Sequence, residues 1–260
     1  MNGGIIDIEL ARLIAAYIFV LLLLLIVRVR KISREKQIAI ATLRMTIQLI
    51  LAGFILTYIF DNPHPLLTIL IIFIMEMFAV RNVFIQVREK LSRQMKVIIT
   101  VSMAAGSLAS LLYFNLIVIH FSPWYDPRYF IPIAGMIIGN SMTGITLGVK
   151  TLLQGFIADK EKIEGALMLG AEPQTAAKPY IDNAFDSAVL PTINNMLGMG
   201  IVFLPGMMTG QILSGVSPLT AIEYQIAILL GILGSVSLTV ILFLILGYRT
   251  FFTKDSRLIG

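Results

Sequence analysis

One carboxylate, Glu76, stands inside a long apolar run between Met75 and Met77. Such a group is costly in a membrane and normally faces the protein interior or a watery cavity, so it reads as functional by default. It suits cation passage and is the one residue read here as a metal ligand. The structural alternative is a protonated Glu76, or one paired with Arg44 or Arg81. Arg44 and Gln48 lie one turn apart in an earlier run. Arg44 can snorkel to the interface, whereas Gln48 either faces a translocation path or holds helices together.

Further candidates for a path follow. Asn140, Ser141 and Thr143 interrupt a later run, bracketed by Gly135-x3-Gly139 and Gly144-x3-Gly148, and Asn195 precedes Gly206-x3-Gly210. Small residues at this spacing allow tight helix crossing. Pro132 and Pro205 are placed to break helices and free carbonyls into a cavity. Met136, Met142, Met196, Met199, Met207 and Met208 cluster in the same region. Thioethers favour Cu(I) and suit hard trivalent ions poorly; flexible packing is the plainer reading. Met207 and Met208 join Glu76, Gln48, Asn140, Ser141 and Asn195 as path candidates. His64 and His120, near Asp61 and Asp126, lack an i,i+4 spacing and read as interface residues or an outer release site.

The elements that must position these groups are membrane spans. Of 260 residues, 57% are hydrophobic and 13% charged, about half the charge of a soluble domain. Lipid must therefore be the solvent for much of the surface. The net charge of +5 does not indicate nucleic acid, because basic residues collect at the ends of apolar runs. With no cysteine, disulfides, thiolate chemistry and sulfur-rich zinc sites are excluded. The segment up to Glu9 is acidic, so the first run reads as a retained span rather than a cleaved signal.

Runs able to cross about 30 Å of hydrocarbon predict seven spans: Leu10–Val27, Ile38–Phe60, Leu66–Phe84, Val97–Phe121, Tyr129–Val149, Val189–Leu213 and Ile222–Leu246. Arg28, Arg30, Lys31, Arg34 and Lys36 follow the first. Arg81, Arg88, Lys90, Arg93 and Lys96 follow the third. Lys150, Lys160, Lys162 and Lys178 follow the fifth, with Arg249, Lys254 and Arg257 in the tail. The opposite connections hold Arg128 alone. The positive-inside rule then puts the N-terminus outside and the C-terminus inside. Trp124, Tyr125 and Tyr129 fit an outer aromatic belt. The expectation is an all-α polytopic protein, one transmembrane domain over residues 1–260.

Residues 150–190 form the one long polar insertion, on the cytoplasmic side. Gln154–Leu169 reads as one helix with Leu153, Phe156 or Ile157, Ala166, Leu167 and Met168 on an incomplete apolar stripe. Gly170 ends it with a left-handed cap, and Pro173 opens a second helix, Pro173–Ala188. A helix–glycine–helix element on the cytoplasmic face needs a partner to touch.

Glu164-Gly165-Ala166 followed after three residues by Gly170 resembles the EAA-x3-G coupling loop of ABC-transporter permeases, with Gly165 at the usual alanine. Three further stretches, Pro132–Met142, Leu204–Gly210 and Arg44–Leu49, extend the resemblance over nearly the whole chain, to the FetB-type permease family. Its bacterial members are described as iron exporters, and plant aluminium-tolerance proteins are similar. The resemblance implies that Glu164, Gly165, Ala166, Gly170 and Ala171 dock a separate ATPase, that two permease chains pair as a homodimer in the bacterial inner membrane, and that iron or another metal ion is exported. No G-x-x-x-x-G-K-[ST] loop occurs, so ATP and Mg would bind the partner and this chain carries no cofactor and no catalysis of its own. Two other classes remain: an ATP-independent secondary transporter or channel using Glu76, and an intramembrane enzyme. The last lacks H-E-x-x-H and G-x-S-x-G motifs.

Overall fold

The computed structural model describes residues 8–87, 89, 91–253, 255 and 257–258. Arg88, Lys90 and Lys254 of the charge argument, and most of the acidic N-terminal segment, lie outside the described residues. Those described are helical, with no strand beyond isolated bridges such as Met199–Phe203. The helices are α1 (Leu10–Ala16), α2 (Ile18–Val29), α3 (Glu35–Asp61), α4 (Pro65–Gln86), α5 (Arg93–Tyr113), α6 (Pro127–Ala158), α7 (Lys160–Met168), α8 (Pro173–Gly198), α9 (Gly206–Leu213) and α10 (Pro218–Gly247). A π-helical turn, Phe114–Ile119, extends α5, and a 3-10 turn, Tyr248–Phe251, follows α10.

Among the described residues six stretches are long and apolar enough to cross a membrane: Leu10–Val29, Glu35–Asp61, Pro65–Gln86, Arg93–Ile119, Pro127–Ala158 and Pro218–Phe251. They match six expected spans. The other, Val189–Leu213, is not one helix. Its first part belongs to α8, which rises without interruption from the polar insertion, and the helix stops at Gly198. Residues 199–205 are irregular, with Gly200 at φ +81 and its N–H donating to the Phe203 carbonyl at 3.0 Å. Glycines are weak helix formers, and Pro205 has no N–H to give and disfavours a helical Leu204. Pro205 thus lies at a helix break, as expected. Pro132 does not: it lies near the start of α6, which runs on through it to Ala158.

The chain divides into two compact units. In the first, residues up to Pro63 with Leu213–Gly215, α2 packs on α3. The Tyr17 hydroxyl and Thr46 Oγ1 are 2.5 Å apart. Apart from Val27 and Ile59, its described apolar side chains are not buried.

The second unit, His64–Ile212 with Val216–Gly260, has a core. Helix α6 is its axis and touches α4, α5, α8 and α10. Glycines bring the helices close, as small residues do in membranes. Gly144 faces Val236 of α10, Gly148 lies against Ala188 of α8 and Val240 of α10, and Gly106 of α5 leaves no space for a β-carbon against the Thr239 backbone. Gly139, Gly206 and Gly210 have nothing of the described residues within 4 Å of where a β-carbon would stand, so the Gly206-x3-Gly210 pair makes no crossing among them.

Caps fix the ends. His64 Nδ1 accepts from the Leu66 N–H, Asp126 from the Arg128 N–H, Ser92 from the Met95 N–H and Ser217 from the Thr220 N–H, the usual work of N-cap side chains. Thr68 Oγ1 donates to the Tyr125 carbonyl, and Asn115 Nδ2 to the Trp124 carbonyl, tying the starts of α4 and α6 to the end of α5. At the other end Thr250 reaches Met95. Arg93, Lys150 and Arg249 thus fall at the end of this unit opposite Arg128.

Candidate functional site

Glu76 is 8% exposed on α4. Ser107 Oγ of α5 lies 3.0 Å from Glu76 Oε2 and 2.7 Å from the Met103 carbonyl, and Oε1 has no partner. The hydrogen-bond partner that the second unit gives Glu76 is therefore a serine. Arg81 is exposed. Both residues line a groove of about 690 Å³ between α4 and α5, walled by Phe73, Phe84, Trp124 and Phe130. Among the described residues no three His, Asp or Glu side chains come together as a metal-binding group. His64 caps α4, and His120, with φ 55, bonds the Leu116 carbonyl through Nδ1.

None of the second unit's other path candidates lines the groove at Glu76. Ser141 is fully buried, its Oγ 2.7 Å from Ser235 Oγ of α10. Asn140 is half-buried and its amide donates back to the Met136 carbonyl at 2.7 Å. Asn195 is exposed on α8, Met207 is half-buried on α9 and Met208 is buried there. Gln48 is exposed on α3. Of the other methionines, Met142 accepts from Asn82 Nδ2 of α4 at 3.4 Å, a packing role.

The polar insertion is built differently from the expected single helix. Helix α6 stops at Ala158, and Asp159 (φ −111, ψ 28) turns the chain into α7. The Asp159 carboxylate lies 2.6 Å from Lys162 Nζ. A short acidic side chain that finds a local partner competes with regular helix. The Lys162 hydrogen bond is the main cause that holds the Asp159 carboxyl below the usual carboxylate range, and the same bond raises the Lys162 ammonium. Burial first, then the Asp159 charge, raises the Tyr180 hydroxyl. Phe156 stacks on Phe251, centroids 4.1 Å apart, and meets Tyr180 at 5.6 Å. This aromatic cluster joins α6, α8 and the segment after α10.

Beyond the bend, Ile163 is buried, whereas Met168 is 86% and Leu169 92% exposed. Met168 is thus off the expected stripe, and Ile163 was missing from it. The Gly170 N–H donates to the Leu167 carbonyl and the Ala171 N–H to the Ala166 carbonyl, with Gly170 at φ +90. This is a Schellman motif, as the expected left-handed cap requires. Glu164 makes a long, exposed ion pair with Lys160 at 3.9 Å, and Gly165 has open space around it. Glu164, Gly165, Ala166, Gly170 and Ala171 therefore sit on one short helix and its cap, with two bare apolar side chains at the turn. Sequence spacing gave no signal for the Ser107 partner or the groove. Two large apolar residues before a cap glycine in a polar insertion were a readable signal for Met168 and Leu169.

The model of the family described as "Uncharacterised protein family (UPF0014)" matches residues 10–252. The chain is 32% identical over 244 residues to the "Probable iron export permease protein FetB" of Escherichia coli, covering 94% of this chain and 92% of that one. It is 33% identical over 242 residues to the "UPF0014 membrane protein YjkA" of Bacillus subtilis, covering 93% and 94%. It is 32% identical over 244 residues to the "Protein ALUMINUM SENSITIVE 3" of Arabidopsis thaliana, covering 94% and 88%. No solved structure matches. The resemblance to the FetB-type family holds over nearly the whole chain, and this multi-pass membrane protein belongs to UPF0014.

Proposed function

We propose that the chain is the membrane-spanning permease subunit of an ABC transporter that exports iron or another metal ion. A separate ATPase docks on the turn from Glu164 to Ala171. The observation that carries this reading is the pair Met168 and Leu169, bare on a Schellman-capped turn. Exposed apolar side chains beside charged ones form the kind of small patch that a partner covers. The relative named as an iron export permease supports the cargo and its direction. Basic connections at one end of the second unit support an orientation with that end, and the C-terminus, in the cytoplasm.

Two permease chains facing two ATPases form the working unit, a homodimer by symmetry, within one transmembrane domain per chain. ATP and Mg sit on the ATPase. Driven movement of the docked turn shifts α8 and α9 against α6, the two-state re-packing that alternating access needs. Glu76 is the cation group, and a metal ion passing it takes its other ligands from water, a carrier or the second chain. Asn140, Asn195, Met207 and Gln48 are the polar and soft contacts of the path. An ATP-independent transporter or channel would leave the bare Met168–Leu169 turn without a use.

The deciding experiment is affinity purification of the tagged chain from its native membrane, with identification of the proteins that accompany it. A stoichiometric P-loop ATPase that is lost on Glu164→Lys supports the reading. A chain that purifies alone and moves cations in liposomes without ATP overturns it.

A further inference from the structure

At the basic end of the second unit, α5 begins where α10 ends, and the two helices pack on each other. A groove of about 460 Å³ lies there, lined by Arg93, Gln94, Arg249 and Thr250 and by Val97, Ile98 and Leu246. The order along both helices is the same. Val97 stands one turn after Arg93, and Leu246 one turn before Arg249, so each arginine lies roughly 5 Å nearer the helix end than its apolar neighbour. Both helices belong to stretches able to cross a membrane, Arg93–Ile119 and Pro218–Phe251. The groove therefore changes from apolar to charged where those stretches end, the level at which a bilayer changes from acyl chain to headgroup.

The two arginines have no acid to answer them. No Asp or Glu lines the groove, and among the described residues neither Arg93 nor Arg249 forms an ion pair. Both side chains are exposed and within reach of a guest. Arg249 is also held in place: its guanidinium carbon lies 5.9 Å from the ring centroid of buried Tyr248, a cation–π distance. Thr250 Oγ1 already donates to the Gly247 carbonyl at 2.8 Å, so the guanidiniums and the Gln94 amide are the donors on offer. Planar guanidiniums bind phosphate through paired N–H bonds. A metal cation is repelled here, and a small soluble anion leaves Val97, Ile98 and Leu246 unused. The groove of the same volume on α2 and α3 differs, because Glu35 stands in it with Arg28 and Lys36 and offsets part of their charge. We infer that the α5–α10 groove binds an anionic phospholipid, with its phosphate on Arg93 and Arg249 and an acyl chain along Val97, Ile98 and Leu246. Basic pockets between transmembrane helices hold anionic headgroups in this way. The inference needs neither the ATPase nor a choice of membrane side.

The test is native mass spectrometry of the purified full chain in non-ionic detergent, titrated with phosphatidylglycerol or with phosphatidylcholine of the same acyl chains. Phosphatidylglycerol is expected to fill one site per chain saturably, roughly tenfold or more tighter than phosphatidylcholine, as two basic side chains at a membrane surface provide. Arg93→Gln combined with Arg249→Gln should remove that preference. Lys96→Gln combined with Lys150→Gln takes two charges from outside the groove and should leave the preference intact. Leu246→Trp crowds the apolar part at an exposed position and keeps both arginines, so it should weaken phosphatidylglycerol binding even if the arginine pair folds poorly. Equal binding of the two lipids by the wild-type chain would overturn the inference. So would an equal loss in the lysine pair, which would mean diffuse attraction rather than a site. Displacement of the lipid by glycerol 3-phosphate at matching concentration would make this a soluble-phosphate site, and a preference that survives the arginine pair would leave those arginines for an acidic protein surface; either result overturns the lipid. No ATPase is present, so no result bears on the transporter class.

Discussion

Gly155 of α6 lies against the ring of Tyr180 of α8: a β-carbon at 155 would stand 2.8 Å from Cδ1. This contact is where the membrane core meets the polar insertion, next to the Phe156–Phe251 stack. Gly155→Val should force the ring aside at a cost of about 1–3 kcal/mol, as overpacking does. Thermal unfolding in detergent measures it. An unchanged midpoint would mean that the ring moves freely and that the bend is not held there.

The ATPase reading makes a sharper demand on the turn. Met168→Asp combined with Leu169→Asp should abolish ATPase co-purification and leave thermal stability within about 0.5 kcal/mol of wild type, because these side chains touch solvent. Retained ATPase binding would remove the turn from the interface.

Ser141, expected on the path, is engaged with Ser235 across the α6–α10 contact. Ser141→Ala and Ser235→Ala should each destabilise the fold. The double variant should lose less than the sum, with a coupling near 0.6 kcal/mol, the average for such bonds in membranes. Additive losses, together with slower cation flux in Ser141→Ala alone, would return Ser141 to the path.

The bend at Asp159 should depend on pH at both extremes. The carboxyl of Asp159 is lowered by Lys162, so its stabilising effect is present above the ordinary carboxylate range and is lost as pH falls through the lowered value. Lys162 is raised by the same contact. Its contribution is complete below the ordinary lysine range and is lost as pH rises through the raised value. The bend is therefore held across the neutral range. Amide exchange in α7 should accelerate below the carboxylate range and again above the lysine range, and Asp159→Asn should remove the acid limb. A flat profile in the wild type would show that the pair does not hold the bend.

Helical runs of 20 residues or more announce themselves through length and hydropathy, which is why six spans and the Gly170 cap were legible. The broken span was not, because a window of apolar residues averages over Gly198, Gly200 and Pro205, and local backbone chemistry decides the outcome there. Asp159 escaped notice for a similar reason: one residue bends a helix that periodicity carries straight on. The site depended on facts with no sequence signature. That Ser107 faces Glu76, and that Ser141 faces Ser235, follows from how α5 and α10 rotate about their axes, which glycine contacts such as Gly106 with Thr239 settle in three dimensions.

Helix α8 is one continuous rod from Pro173 to Gly198, 26 residues or about 39 Å. A rod hinged at both ends works as a lever arm. On the proposed docking, displacement at the turn would be delivered along it to residues 199–205, where Ile201 and Val202 project at 91% and 79% exposure. Stroke length at the far end would then be set by the rigidity of the arm, and Pro179 and Pro191, the prolines inside the helix, are the two places where that rigidity could be tuned.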